Sequence, residues 1–256
     1  MKLVTFNILH GRTPGDDVDL GRFAQCVADL DADILALQEV DAVQPRSGMA
    51  DLTALAAEAM GARSHQFVAA IAGTPGATWI AATGEEQPGT AAYGVALLSR
   101  YPALNWQVVR LPRIPFRFPM YLGAPGRVQV VDEEPRAAVI GLLDTPVGPL
   151  SVVNTHLSFV PGWNRHQLRR LMRDVRALPG PHLVAGDLNM GVDSAQRWAG
   201  LRSLASAATF PAEAPTTQLD HVLTDDPNLV TISCAAPRQP ISDHRPLVVQ
   251  LRRRDA

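Results

Sequence analysis

Ile241-Ser242-Asp243-His244-Arg245-Pro246-Leu247 sets a hydroxyl, an acid and an imidazole side by side, and an apolar strand spanning 246–251 follows at once. A carboxylate and a histidine at the mouth of a rigid strand are aimed with little conformational freedom. Taken alone, the same residues suit a turn in which Ser242 or Asp243 caps a local backbone group and His244 is solvated. The choice rests on whether other strands end in the same way.

They do. Residues 2–9 form a β-prone apolar run interrupted by one amide, Asn7, and closed by His10-Gly11. A strand over 33–37 ends in Gln38-Glu39, and one over 150–157 ends in Asn154-Thr155-His156. A short strand at 182–185 ends in Gly186-Asp187-Leu188-Asn189, and a strand over 219–224 opens on Leu219-Asp220-His221. Polar groups that stop apolar strands of one sheet system are brought to one edge. They also make a coherent chemical kit. Glu39 is a hard oxygen ligand suited to Mg2+ or Mn2+. Asn7 and Asn189 hold a phosphate oxygen, a water or the metal without adding charge. Asp187 orients or deprotonates water, and His156 and His244 donate to charge building on phosphoryl oxygens.

Around these ends the periodicity predicts helices over 16–30, 50–60, 163–178 and 194–205, and further strands over 65–72, 93–99, 136–143 and 229–235. A strand at 104–111 is expected to pair with 93–99. Residues 73–92 are expected to form a long exposed loop. The stretch 112–134, with Arg113, Arg117 and Arg127, is expected to be irregular. Arg165, Arg169, Arg173 and Arg176 stripe one helix face and read as solvated rather than as a substrate rail. His65 reads as a structural or surface histidine.

The bulk numbers bound the answer. A chain of 256 residues with 46% apolar and 19% charged residues is an ordinary globular one, expected to form a single domain over 1–256. A net charge of −2 supplies no global attraction to nucleic acid or to an anionic membrane. Lys2 is the only lysine, so the basic residues are almost all arginines, whose planar groups suit phosphate. Cys26 and Cys234 lack metal-ligand spacing and read as buried free thiols. The histidines lack zinc-site spacing. With no apolar membrane run and no cleavable leader in the sequence, a cytoplasmic monomer without stable membrane association is the expectation.

The ordered set Thr5-Phe6-Asn7-Ile8, Gln38-Glu39, Tyr93-Gly94-Val95, Asn154-Thr155-His156, Gly186-Asp187-Leu188-Asn189, Leu219-Asp220-His221 and Ser242-Asp243-His244 resembles the endonuclease/exonuclease/phosphatase family, over residues 4 to about 250. The resemblance implies the deoxyribonuclease-I-like α/β fold, a four-layer sandwich of two packed mixed sheets flanked by helices. It implies Glu39 as the main ligand of a Mg2+ or Mn2+ ion, with Asn7 beside it and Asp243 joining at a second or shifted metal position. Asp187 and Asn189 would position the nucleophilic water and the phosphate, and His156 would contact a phosphate oxygen. His244 would be general base or protonated stabiliser of the transition state, with Asp220 fixing its tautomer. Tyr93 and Arg136 match positions that touch the substrate phosphate.

The resemblance therefore implies a metal-dependent phosphoester hydrolase, a phosphodiesterase or nuclease, with nucleic acid among the candidate partners. Phosphomonoesters and lipid headgroups are alternative substrates, and a catalytically silent binding protein is the alternative of another class. The sequence shows no landmark of abasic-site repair enzymes, no basic-aromatic run marking a nucleic-acid groove, and no amphipathic hairpin for a membrane lipid.

Overall fold

A computed structural model describes residues 1–115, 117–121 and 128–254. Among these described residues the chain forms fifteen strands and four α-helices. In chain order these are β1 (Lys2–Asn7), α1 (Leu20–Leu30), β2 (Ile34–Ala42), α2 (Leu52–Met60), β3 (Ser64–Gly73), β4 (Trp79–Ala81), β5 (Ala92–Ser99), β6 (Ala103–Leu111), β7 (Phe118–Tyr121), β8 (Val128–Val131), β9 (Arg136–Thr145), β10 (Gly148–His156), α3 (Trp163–Val175), β11 (His182–Asp187), α4 (Val192–Ala199), β12 (Arg202–Ser203), β13 (Asp220–Thr224), β14 (Leu229–Ala235) and β15 (Leu247–Arg253).

They build a seven-stranded sheet in the order β14-β15-β1-β2-β5-β3-β4 and a six-stranded sheet in the order β12-β13-β11-β10-β9-β6, with β7 and β8 forming a small separate hairpin. Both large sheets are mixed: β1–β2 and β10–β11 run parallel, whereas β1–β15 and β9–β10 run antiparallel.

Alternation along each strand explains the layering. On β1, Leu3 enters a core between the sheets with Ile34, Val95, Val139, Val152 and Leu183. Its neighbours Val4 and Phe6 point the other way, onto Phe23, Val27 and Leu30 of α1 and Leu52, Ala56 and Met60 of α2. The second sheet repeats the arrangement, with Val153 and Val184 against Leu168, Leu171, Met172 and Val175 of α3. The expected helix–sheet–sheet–helix sandwich is therefore the architecture. No helix among the described residues is long and apolar enough to cross a membrane.

Several local expectations change. The first strand stops at Asn7, because Leu9 and His10 take positive φ in a tight 3-10 turn. Helix α1 starts at Leu20: the Asp19 side chain accepts from Arg22 N at 3.0 Å as its cap, and Asp16 has a left-handed φ of 73°. Helix α2 does end on a left-handed Gly61, as expected. The third and fourth helices span 163–175 and 192–199, shorter than read. Strand β6 pairs with β9 in the other sheet rather than with β5, whose two edges are already occupied by β2 and β3. The 73–92 loop contains β4, and the 112–134 stretch contains the β7–β8 hairpin; Arg127 lies outside the described residues. Cys26 is a buried free thiol, but Cys234 is exposed because β14 is an edge strand. His65 is exposed, and Arg165, Arg169, Arg173 and Arg176 all face solvent.

Candidate active site

The face that carries Leu3 into the core between the sheets carries Thr5 and then Asn7 in the same direction, by the period of two. On β10 the sequence Val152, Asn154, His156 does the same, and on β11 Leu183, Ala185, Asp187 follows it. The apolar contacts of each strand thus run out into a polar group where the two sheets meet at one end. Asn154 helps hold that junction: its Nδ2 donates to Leu37 O and Ala96 O of the opposite sheet, both at 2.8 Å, and its Oδ1 accepts from Gln38 Nε2 at 2.7 Å.

Two backbone devices aim the carboxylates. Between Gln38 and Val40 the pairing of β2 with β5 slips by one residue, so Glu39 is the extra residue of a bulge with φ 57°. Gly186 has φ 141°, and a Cβ there would lie 2.0 Å from Thr155 O, so the Gly-Asp-Leu-Asn stretch tolerates only glycine at its first position. Asp187 then accepts from Asn189 N at 2.9 Å through Oδ1. Asn189, with φ 50°, donates through Nδ2 to Leu157 O at 2.9 Å, and its own carbonyl is held by Asn164 of α3 at 2.8 Å.

Asn7 links the sheets at this point, its Nδ2 donating to Glu39 Oε1 at 3.0 Å and to Asp187 Oδ2 at 3.1 Å. His244 reaches the same place from the loop before β15. Ser242 has φ 71°; its hydroxyl donates to Asn7 O at 2.6 Å and accepts from His244 N at 3.0 Å, tying the histidine to the end of β1. His244 Nδ1 donates to Asp220 Oδ2 at 2.9 Å, and Nε2 stands 3.8 Å from Asp187 Oδ2. Phe210 covers the imidazole, with ring centroids 4.9 Å apart.

Burial alone would lower the His244 pKa, but the Asp220 hydrogen bond, with the charges of Asp220, Asp187 and Asp243, outweighs it and raises the group to about 9. Asp187 is pushed up to about 7, first by burial and then by the charge of Asp220. The imidazole is therefore cationic at neutral pH, and the carboxyl is poised near neutrality.

His156 and Arg136 form the adjoining wall. Arg136 Nη1 donates to His156 Nδ1 at 3.3 Å, and Arg136 Nη2 lies 3.3 Å from Glu133 Oε1. His156 Nε2 is 3.3 Å from Asn189 Nδ2 and 3.5 Å from Asp187 Oδ2. Burial, then the Arg136 charge, holds the His156 pKa well below its ordinary value, so this histidine is neutral. Tyr93 is buried, and burial followed by the charge of Glu39 raises its phenol well above the usual range.

The sequence-predicted residues do not all converge. Asn7, Glu39, His156, Asp187, Asn189, Asp220 and His244 form one linked cluster, and Arg136 joins it through His156. Asp243 stands apart: it is exposed and lines a neighbouring cleft with Leu9, Arg12 and Glu213. His10 is buried with its Nδ1 unpartnered, and burial, then the Arg46 charge, lowers it to about 4.

Sequence reading missed the groups arriving from loops. Arg46 pairs with buried Asp41 at 2.7 Å and lies 5.4 Å from the Tyr93 ring centroid. Glu134 is close enough to Arg136 and Glu39 for their charges to act on it. Neither Arg46 nor Glu134 follows from strand periodicity. Ser242 and Gly186 did lie inside quoted motifs, although the tie to Asn7 and the approach to Thr155 show only in three dimensions.

The donor set suits the divalent cation that the resemblance implies. Asp187, Asp220 and His244 present ligand atoms within 4.8 Å of one another. Since His244 Nδ1 is already engaged and the ring is cationic, the better ligands are the oxygens of Glu39 and Asp187 linked through Asn7. Burial, and then the charge of Asp220, raises Asp187, and a cation beside the carboxylate would offset both. Such an oxygen set favours a hard ion.

Comparison with known proteins agrees with the architecture. An endonuclease/exonuclease/phosphatase protein of Beutenbergia cavernae superposes with a TM-score of 0.71 at 23% identity, over 100% of this chain and 72% of the other. One from Bacteroides vulgatus gives 0.69 at 19%, over 98% of each chain. A mannosyl-6-phosphatase of Bacteroides thetaiotaomicron gives 0.66 at 17%, over 98% of this chain and 99% of the other. Comparison with curated protein sequences gave no match. The model of the endonuclease/exonuclease/phosphatase family matches residues 4–244, and the chain belongs to that family.

Proposed function

We propose that this chain is a Mg2+- or Mn2+-dependent phosphodiesterase or nuclease in which water attacks phosphorus in line with the departing oxygen. Family membership supports the broader class, since its members are in general metal-dependent phosphoester hydrolases. The observation that carries the reading is the line Asp220–His244–Asp187. His244 Nε2 and Asp187 Oδ2 are 3.8 Å apart, too far for a direct hydrogen bond and close enough for one oxygen to bridge the pair.

Asp220 fixes Nδ1–H of His244, so Nε2–H donates to charge developing on a phosphoryl oxygen. Asp187 orients the attacking water and takes its proton. His156, neutral and held by Arg136, and Asn189 orient the phosphoryl oxygens, while Arg136 and Tyr93 bound the substrate phosphate. Glu39, Asn7 and Asp187 would hold the cation. When bound, it neutralises phosphoryl charge and increases the acidity of water.

Incubation with supercoiled plasmid and Mg2+ tests this reading, beside EDTA, His244→Ala and Asp220→Asn controls. Nicking is expected in the wild type, absent in EDTA, and slowed about 10²- to 10⁴-fold by either substitution. A folded wild type that leaves plasmid intact overturns the nuclease reading. A folded His244→Ala protein with normal turnover overturns the site.

A further inference from the structure

A cavity of about 560 Å3 adjoins the hydrolytic centre at Arg136. Among the described residues four arginines line it, Arg110, Arg113, Arg136 and Arg170, over apolar surface that includes Leu111 and Pro112, and no carboxylate does. Guanidinium groups gathered at one concavity repel one another unless acids or a ligand neutralise them. Acids and backbone account for only part of this set. Arg113 pairs with Asp132, and Arg110 donates to Ala69 O at 2.9 Å. Arg136, 8% exposed, pairs with Glu133 yet keeps Nε buried without a partner. Arg170, on the solvent side of α3, has no acidic partner among the described residues.

We propose that this cavity binds a second, uncleaved phosphate of the substrate. The preferred phosphoester then carries two phosphates joined by a short organic scaffold. Planar forked donors match phosphate oxygens in pairs, the apolar wall accommodates a sugar or base, and the volume suits a small ligand. Arg136 is the shared element: one edge faces His156 in the hydrolytic centre, and the side chain also lines the cavity. The second phosphate comes from the next link of a nucleotide strand or from a small bisphosphate. The inference rests on the hydrolase reading for the scissile end.

Calorimetry on His244→Ala protein with Mg2+ reads binding apart from turnover. The probes are thymidylyl-thymidine with and without a 5′-phosphate, and fructose 1,6-bisphosphate against fructose 6-phosphate. In at least one pair the doubly phosphorylated member is expected to bind about tenfold tighter or more. The pair that shows the advantage identifies the source. Arg170→Ala, at an exposed helix position that alanine suits, should remove most of that advantage, and Arg170→Lys should keep part of it. No advantage in either pair, or an advantage that survives Arg170→Ala, overturns the proposal. Selective binding by the protein without hydrolysis by the wild type refutes the hydrolase reading and upholds the phosphate subsite.

Discussion

Asn7 of the seven-stranded sheet donates to Asp187 of the six-stranded sheet at 3.1 Å, joining residues 180 apart in the chain through a buried hydrogen bond. The same amide holds Glu39, so one side chain spaces two carboxylates. Asn7→Ala removes the donor that these acids share and leaves Asp187 Oδ2 without its amide partner. We expect turnover to fall by about 10²-fold, because small displacements at a reacting centre are costly. Stability should fall by about 1–3 kcal/mol, from buried acceptors left unpaired. Steady-state rates and urea denaturation check both, and an unchanged rate would remove Asn7 from the site.

Glu39 offers its carboxylate from a bulge rather than from a regular strand position. Glu39→Gln keeps the shape and removes the charge. The Mg2+ concentration for half-maximal rate should rise roughly tenfold or more, since affinity for hard cations follows ligand charge. Calorimetric Mg2+ titration of the two proteins measures this directly. Identical curves would exclude Glu39 as a ligand.

His221, next to Asp220 on β13, illustrates pH dependence. Its Nε2 donates to Met190 O at 2.7 Å, while Nδ1 is buried without a partner. Burial outweighs that hydrogen bond and lowers the pKa from 6.5. The unfolded chain therefore takes up this proton at higher pH than the folded one does. The neutral ring's contribution is fully present above about pH 6.5 and is lost as pH falls toward the lowered folded value. His221→Gln should be less stable than the wild type at neutral pH yet lose less on acidification. Urea midpoints measured across this range test it, and parallel pH profiles would show that His221 does not contribute.

The two thiols should separate cleanly. Cys26 is buried, its Sγ 3.2 Å from Gln239 Oε1, and burial followed by the Asp29 charge pushes the thiol up to about 12. Cys234 lies exposed on β14. An aromatic disulfide reagent should modify one thiol quickly in the native protein and the second only in denaturant. Burial of the Cys26 sulfur and its raised pKa account for its slow reaction. Cys234→Ser should abolish the fast phase; if it persists, Cys26 is accessible.

The polar ends of apolar strands were legible because strand periodicity links sequence position to direction. Once Leu3, Val152 and Leu183 are placed inward, Asn7, His156 and Asp187 share their side. Legibility failed where an element's neighbours, rather than its own pattern, decide its place. Strand β6 looks like a natural partner for β5, but both edges of β5 were taken, and the chain crossed to the other sheet. Cys234 carries an apolar environment in sequence and solvent in space, because no strand among the described residues pairs with the outer edge of β14. Asp243 shares a motif with His244, but the left-handed backbone at Ser242 directs the adjacent residues into different surroundings. Arg46 and Glu134 reach the site on loops, where no period relates residue number to direction.

Strand β1 lies between β2 and β15, with Met1 and Leu251 exchanging backbone hydrogen bonds. During synthesis β1 emerges well before β15, so one of its edges must wait until β15 leaves the ribosome. His244 arrives only just ahead of that strand. A nascent chain can thus lay down both helix-covered cores before β15 appears, yet the Asp220–His244–Asp187 cluster completes only with the event that seals the exposed edge of β1.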